Sequence, residues 1–277
     1  MTLRRVSRLV AAVTRGAALA VLLILAVAPI LWLMLTSIKP RVDIFASTPR
    51  ILFRPTWEAW EKLLYHGAWG DNLVNSLLIA GGTTLVTTVV GSAAAYAFAR
   101  YYFRWRRRLL FATFASRLLP PITTVVALFL LLDRVGLIDT RLALVVIYTG
   151  LELPLAIWML KTHFDHVPIE LDEAAYLDGC NRWQAFRHVT FPLAAPGMAA
   201  AATFLFVTAW NEFTFAFIFT STRARTLPVV IAQTIGEFEI YWNDLTAQGT
   251  LIVLPVLLFA LVAQRYLIQG LTVGSLK

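Results

Sequence analysis

Long apolar runs follow one another along this chain, separated by segments that gather nearly all of its charge. Ala17–Leu35, Leu73–Ala99 and Thr246–Gln264 contain no Asp, Glu, Lys or Arg. Leu109–Leu132, Leu142–Leu160 and Leu193–Ser221 contain a single charge each, at Arg117, Glu152 and Glu212. All six are at or near the roughly 20 residues that a helical bilayer crossing needs, and the longer ones exceed what a buried core helix requires. The pattern predicts an all-α membrane protein with six transmembrane helices. Pro120-Pro121 predicts a break in the third, tolerated where backbone lines a pathway. Arg4, Arg5, Arg8 and Arg15 before the first run, and Ala26-Val27-Ala28 within it, imitate a cleaved leader. The run is nevertheless longer than the usual 7–15-residue leader core, and Pro29 follows directly, so a retained anchor is expected.

The polar segments have their own periodicities. Within Thr36–Asn72, Trp57, Trp60, Tyr65 and Trp69 predict a short helix around Trp57–Tyr65 lying along the membrane surface, where Trp and Tyr are favoured. The segment Ser221–Leu245 carries Phe238, Tyr241 and Trp242 among Glu237, Glu239 and Asp244, a cluster suited to docking a partner or to interfacial anchoring. Gly81, Gly82, Gly91 and Ala93–Ala95 put small residues on the second crossing, where they allow close helix packing.

The most distinctive segment is Lys161–Phe191, too polar to cross a bilayer yet well suited to helix. Pro168 fits a first helical turn, and Glu170, Asp172 and Glu173 complement the positive end of the helix dipole. Leu171, Ala174, Ala175 and Asp178 recur at helical spacing, predicting an apolar stripe with acidic flanks. Gly179 is placed to end the helix in the left-handed region. Asn181 can cap a second short helix bearing Trp183, Phe186 and Arg187, expected to stop before Pro192. Most helix connections are far shorter. A helix–turn–helix of this kind is expected to hand motion to a partner by seating in a groove.

Composition and charge then narrow the function. Of 277 residues, 59% are hydrophobic and 14% charged, against about a quarter charged in soluble domains, and mean hydropathy is +0.72. Lys and Arg concentrate in the segments that lie inside if the N-terminus is inside, above all Arg100, Arg104, Arg106, Arg107 and Arg108. By the positive-inside rule both termini are expected in the cytoplasm. The net charge of +8 follows from that topology and does not point to nucleic acid. A single cysteine, Cys180, excludes an internal disulfide and a Cys-rich metal site. His163 and His166 with Asp165 have a metal-like spacing but lack a third strong ligand, so an interfacial patch is expected.

Pro168-Ile-Glu-Leu-Asp-Glu-Ala-Ala-Tyr-Leu-Asp-Gly179, followed by Phe191-Pro192-Leu193, resembles the EAA coupling loop of the membrane subunits of binding-protein-dependent ABC importers. Thr208-Ala-Trp-Asn-Glu-Phe213, Thr226-Leu-Pro228 and Gln264-Arg-Tyr-Leu-Ile-Gln-Gly-Leu-Thr-Val-Gly274 are similar to maltose-type sugar permeases, specifically the smaller of the two partner subunits. The resemblance covers roughly residues 65–277. It departs at Cys180, where a small Ala is usual, and in the ending Gly274-Ser-Leu-Lys, where Gly-Ala-Val-Lys is common. Neither departure touches the acidic or glycine positions of the loop.

The resemblance implies a type I ABC importer permease fold. Residues 1–64 would form an N-terminal tail, first helix and outer loop, and 65–277 the transmembrane domain with its coupling loop at about 168–192. It implies that Glu173, Ala174, Ala175, Asp178, Gly179 and Pro192 couple to an ATPase. The implied partners are a second permease subunit, two ATP-binding subunits, an extracytoplasmic solute-binding protein and the lipid bilayer of a bacterial or archaeal cytoplasmic membrane. No cofactor is expected in this chain, with ATP and Mg²⁺ on the partner ATPase. The solute class implied is carbohydrate, with polyol and glycerol phosphate left open.

Polar groups at membrane depth are candidate pathway residues. Glu212, about eight residues inside the outer end of its run, is expected roughly 12 Å deep at 1.5 Å per residue. Trp210 and Asn211 beside it would offer a stacking surface and hydrogen-bond groups to a sugar, or serve an interhelical contact. Glu152, just before Pro154, either satisfies backbone freed by that proline or meets solute, and Arg117 either snorkels or faces the cavity. The chain lacks a Gly-x-x-x-x-Gly-Lys-Ser/Thr phosphate loop, so hydrolysis is assigned to a partner. A secondary transporter would be expected to show internal repeats. An intramembrane enzyme would need a constellation such as Gly-x-Ser-x-Gly or His-Glu-x-x-His. Neither feature is present.

Overall fold

A computed structural model describes residues 2–48, 50–65, 69–118, 120–235 and 241–272, without the side chains of 2–12, 262–263 and 265–272. Its elements are helices α1 (Thr2–Ser37), α2 (Arg41–Ile44), α3 (Glu58–Tyr65), α4 (Trp69–Arg100), α5 (Arg106–Ala115), α6 (Ile122–Arg134) and α7 (Arg141–Asp165), followed by α8 (Ile169–Leu177), α9 (Arg182–Ala185), α10 (Phe191–Trp210), α11 (Thr214–Phe219), α12 (Leu227–Thr234) and α13 (Trp242–Thr272). Among the described residues, five stretches are long and apolar enough to cross a membrane: Val13–Ser37, Trp69–Arg100, Arg141–Asp165, Arg182–Trp210 and Trp242–Leu261. Arg106–Leu118 and Ile122–Arg134, bent by 97°, meet the same test only as a pair, and counting that pair as one span brings the number to six. The bend falls at the paired prolines, with Pro121 capping α6.

The chain divides into two compact units, Met1–Trp69 with Ile231–Leu254, and Gly70–Val230 with Pro255–Lys277. In the first, α3 is the surface helix expected around Trp57–Tyr65, and the Trp60 indole donates to Ser37 Oγ at 3.2 Å. Lys62 pairs with Asp244 at 2.5 Å, and the Arg41 guanidinium stacks 4.5 Å over Tyr241. Tyr241 and Asp244 of the expected outer cluster thus bind their own unit, while Glu237, Phe238 and Glu239 lie outside the described residues.

The second unit is built on α7, which packs along α10. Gly91 lets α4 approach α7 closely, since a Cβ there would lie 3.2 Å from Ala156 and 3.3 Å from Leu160. Gly82 plays the same part against Val145, whereas Gly81 faces nothing within 4 Å. Ala156, Leu160, Phe164, Ala201 and Leu205 are fully enclosed between these helices.

A polar knot closes the other end of this unit. Asp139, left-handed at φ 57, accepts N–H bonds from Ser221, Thr222, Arg223 and Ala224 at distances from 3.0 to 3.3 Å. Desolvation acts to raise its pKa. The N–H groups of Arg223, Ser221, Ala224 and Thr222 outweigh that and hold the carboxyl well below the usual carboxylate range. Asn75 adds bonds to the carbonyls of Arg223 and Arg225 at 3.0 and 2.9 Å and accepts from Arg141 Nε at 2.6 Å.

Two expectations about the fifth crossing are corrected. It spans Arg182–Trp210 rather than Leu193–Ser221. The helix ends where Asn211 bonds back to Val207 O through both its backbone and its side-chain amide. Residues 214–219 then form the separate helix α11, a break hidden within an apolar run. Nor does the second helix of the Lys161–Phe191 segment stop before Pro192. A π turn at Phe186–Thr190 joins α9 to α10, and Pro192 enters in the first turn of α10, where its missing N–H is tolerated.

Candidate functional site

The α8–turn–α9 segment is shaped by local chemistry. Pro168 occupies the N-cap of α8 with Glu170 and Asp172 in the first turn. At the other end, Gly179 at φ 90 donates to Tyr176 O at 3.1 Å, and Cys180 donates to Ala175 O at 2.9 Å. This paired arrangement is a Schellman C-cap, which needs the left-handed conformation that glycine adopts without a Cβ penalty. Asn181 then caps α9 in a reciprocal box with Gln184, at 2.8 and 2.9 Å. Sharp turn and second helix are therefore specified within a few residues.

The face that α8 buries differs from the expected stripe. Asp172 and Ala175 turn inward, while Leu171, Ala174 and Asp178 are exposed. The cause is an ion pair. Asp172, 1% exposed, accepts from Arg100 Nε at 2.5 Å and from the Thr190 hydroxyl. Arg100 also donates to the carbonyls of Phe164 and Val167 at 3.1 and 2.9 Å. One guanidinium thus joins the C-terminal end of α4, the end of α7 and α8, and the shared carboxylate adds the π turn. Neither Arg100 nor Thr190 stood out as a site residue in the sequence, and Asp172 was assigned only to the helix dipole. The available signal was its spacing from Ala175 on one helical face. Opposite that face, Glu170, Glu173, Ala174, Leu177 and Asp178 are exposed, Leu177 by 90%.

The structure gathers three of the five candidates, with Glu212 just beyond the end of α10 rather than within the crossing. Arg117, in the turn that ends α5, lies 3.8 Å from Glu152 of α7, and Glu152 is within electrostatic reach of Glu212. Glu212 also caps α11, accepting from Phe215 N–H at 3.0 Å and Ala216 N–H at 3.2 Å. Trp210 does not join them. It is 2% exposed and stacks on Phe206 at 5.7 Å, which itself stacks on Phe259 at 4.3 Å. The proposed sugar-stacking surface at Trp210 is thus a core contact, and Asn211 serves as the C-cap of α10.

Among the described residues no group of His, Cys, Asp and Glu could hold a metal. Asp165 pairs with Lys161 at 2.5 Å, and His166 Nδ1 lies 2.6 Å from Thr162 O. His163 instead packs over Gly197 of α10.

This arrangement of membrane-spanning helices around the α8–turn–α9 segment is the permease fold of type I ABC importers. A bacterial ABC transporter involved in the import of the acidic polysaccharide alginate has this fold, with a TM-score of 0.76 at 18% identity, covering 94% of this chain and 97% of that one. Residues 88–273 match the family described as binding-protein-dependent transport system inner membrane component, and the chain belongs to that family. A trehalose transport system permease protein of Mycobacterium tuberculosis is 36% identical over 255 residues, 91% of this chain and 93% of the relative. A sulfoquinovosyl glycerol transport system permease protein of Agrobacterium fabrum is 34% identical over 271 residues, 95% and 93%. This chain is accordingly a multi-pass inner-membrane permease subunit.

Proposed function

We propose that this chain forms half of the translocation pathway of an ATP-driven carbohydrate importer. A second permease subunit supplies the other half, an extracytoplasmic binding protein delivers the solute, and two partner subunits bind ATP and Mg²⁺. Both termini and the coupling turn lie in the cytoplasm. The sugar-permease relatives support the solute class, and the Arg117–Glu152–Glu212 group, at the break between α10 and α11, is the polar surface that would meet sugar hydroxyls.

The observation that carries the coupling role is the two-sided character of α8. One side is tied by Asp172 to α4, α7 and the π turn, and the other is bare. Glu173, Ala174, Asp178 and Gly179 form the bare side that seats on the ATPase. Ala175 contributes from within, as the small residue that lets α8 approach the membrane helices. Pro192 sits where the π turn passes that movement into α10. Closure of the ATPases then moves helix ends as one body, which gives the two sites a shared coupling free energy.

Gly179 provides the test. A Cβ there meets nothing within 4 Å in this chain, so within the subunit substitution acts through φ, at roughly 1–2 kcal/mol for a β-branched residue. Gly179→Val is expected to abolish binding-protein-stimulated ATP hydrolysis while the subunit still inserts, and Gly179→Asn, which tolerates this region, to retain most of it. Normal stimulation and normal retention of the ATPase with Gly179→Val would make the turn a mere connector.

A further inference from the structure

Between α4 and α10 lies a cavity of about 780 Å³ with almost wholly apolar walls. Leu85, Val89 and Tyr96 lie along one side, and Phe191, Met198 and Ala202 along the other. The walls Leu85–Tyr96 and Phe191–Ala202 are each roughly 16 Å long at 1.5 Å per residue. Half the hydrocarbon thickness of a bilayer is about 15 Å, so the groove is one leaflet deep. Leu85 and Val89 are exposed, leaving it open along α4.

The polar end is equally specific. Arg182 is the one charged residue of the lining, and its guanidinium lies 5.0 Å over the Tyr101 ring. Trp183 stands beside it, 5.5 Å from Phe186. Deeper in, the Ser92 hydroxyl is spent on Thr88 O at 2.5 Å, and the Thr88 and Tyr96 hydroxyls are buried, so the exposed wall is almost wholly apolar and suits an acyl chain better than a sugar. A cation and aromatic rings at one end of a leaflet-deep apolar slot are what a lipid with an anionic head requires.

We propose that this groove binds an anionic phospholipid of the cytoplasmic leaflet, with acyl chain between α4 and α10 and phosphate on Arg182. Arginine suits the role because its planar fork can hold two phosphate oxygens at once. A transmembrane helix of the second permease subunit fits less well, because it would run the full thickness of about 30 Å. The bound lipid touches both α4 and the residues leading into the π turn, so anionic lipid content would set how firmly the coupling turn is held. The choice of leaflet rests on the orientation proposed above. Lipid retention is read without transport, so the two ideas fail separately: an extracytoplasmic turn in topology reporters would sink the importer reading and leave retention measurable.

The test uses the complete importer complex in nanodiscs of phosphatidylcholine alone or mixed with phosphatidylglycerol, followed by mass spectrometry of the lipids that stay bound. Wild type is expected to retain phosphatidylglycerol selectively. Arg182→Gln, at an exposed position, should lower that retention about fivefold, the effect of one juxtamembrane cation. Ala199→Trp, which fills the groove, should abolish it, and Arg182→Lys should keep most of it. Equal phosphatidylglycerol retention by wild type and Arg182→Gln would overturn the proposal. So would efficient cross-linking of Val89→Cys to the second permease subunit, since a protein helix would then occupy the slot.

Discussion

Replacing Arg100 by Met removes the cation from a carboxylate that is 1% exposed while filling similar volume with an apolar chain. Asp172 is left with the Thr190 hydroxyl alone, and the Phe164 and Val167 carbonyls lose their Arg100 donors. Breaking one side of a buried pair costs about 3–5 kcal/mol, because the remaining charge stays desolvated without compensation. An exposed pair would be worth under about 1 kcal/mol, so the two cases are separable by measurement. Removing both charges in Arg100→Met/Asp172→Leu should recover most of the loss, since apolar replacement of a buried pair is often neutral. The assay is reversible unfolding in mixed micelles followed by tryptophan fluorescence, applied to wild type, both single variants and the double variant. A loss of less than about 1 kcal/mol for Arg100→Met, or a double variant no better than the single, would refute the buried strut. In the reconstituted complex, Arg100→Met is also expected to uncouple ATP hydrolysis from uptake before it prevents assembly.

Two further outcomes are expected. At Gly197, an added Cβ would enter the His163 ring, so Gly197→Ala should separate α7 from α10 and lower assembled complex, and Gly197→Ala/His163→Ala should restore it; failure of that rescue in size-exclusion profiles would place the strain elsewhere. Because the folded-state pKa of Asp139 lies below its ordinary value of 3.8, its stabilisation is present above that value and lost as pH falls through the folded pKa; Asp139→Asn, which keeps the left-handed backbone accessible, should accelerate hydrogen exchange at Ser221–Ala224 at neutral pH and flatten its acid dependence, and unchanged exchange would show the carboxylate is not what orders the loop.

Some features needed only neighbours along the chain. The crossings follow from apolar runs that no other element can bury, and the broken third crossing follows from prolines that cannot donate. The turn at Gly179 and the cap at Asn181 close within a few residues, so their chemistry is visible in any reading of that segment. What the sequence left open lies between positions far apart in it. Arg100 and Asp172 are 72 residues apart, and either alone reads as an interfacial charge or a dipole partner; their pairing decides which face α8 buries. Trp210 and Glu212 are near neighbours with opposite fates, because α10 ends between them and the indole lies buried against Phe206, which itself stacks on Phe259. Composition could not locate that end, since a helix that stops inside an apolar run leaves hydropathy unchanged. Hydropathy and local hydrogen bonding thus determine which segments are apolar enough to enter the membrane and where the turn between α8 and α9 bends. Burial of charge, which needs a partner delivered by another helix, is decided by the tertiary structure alone.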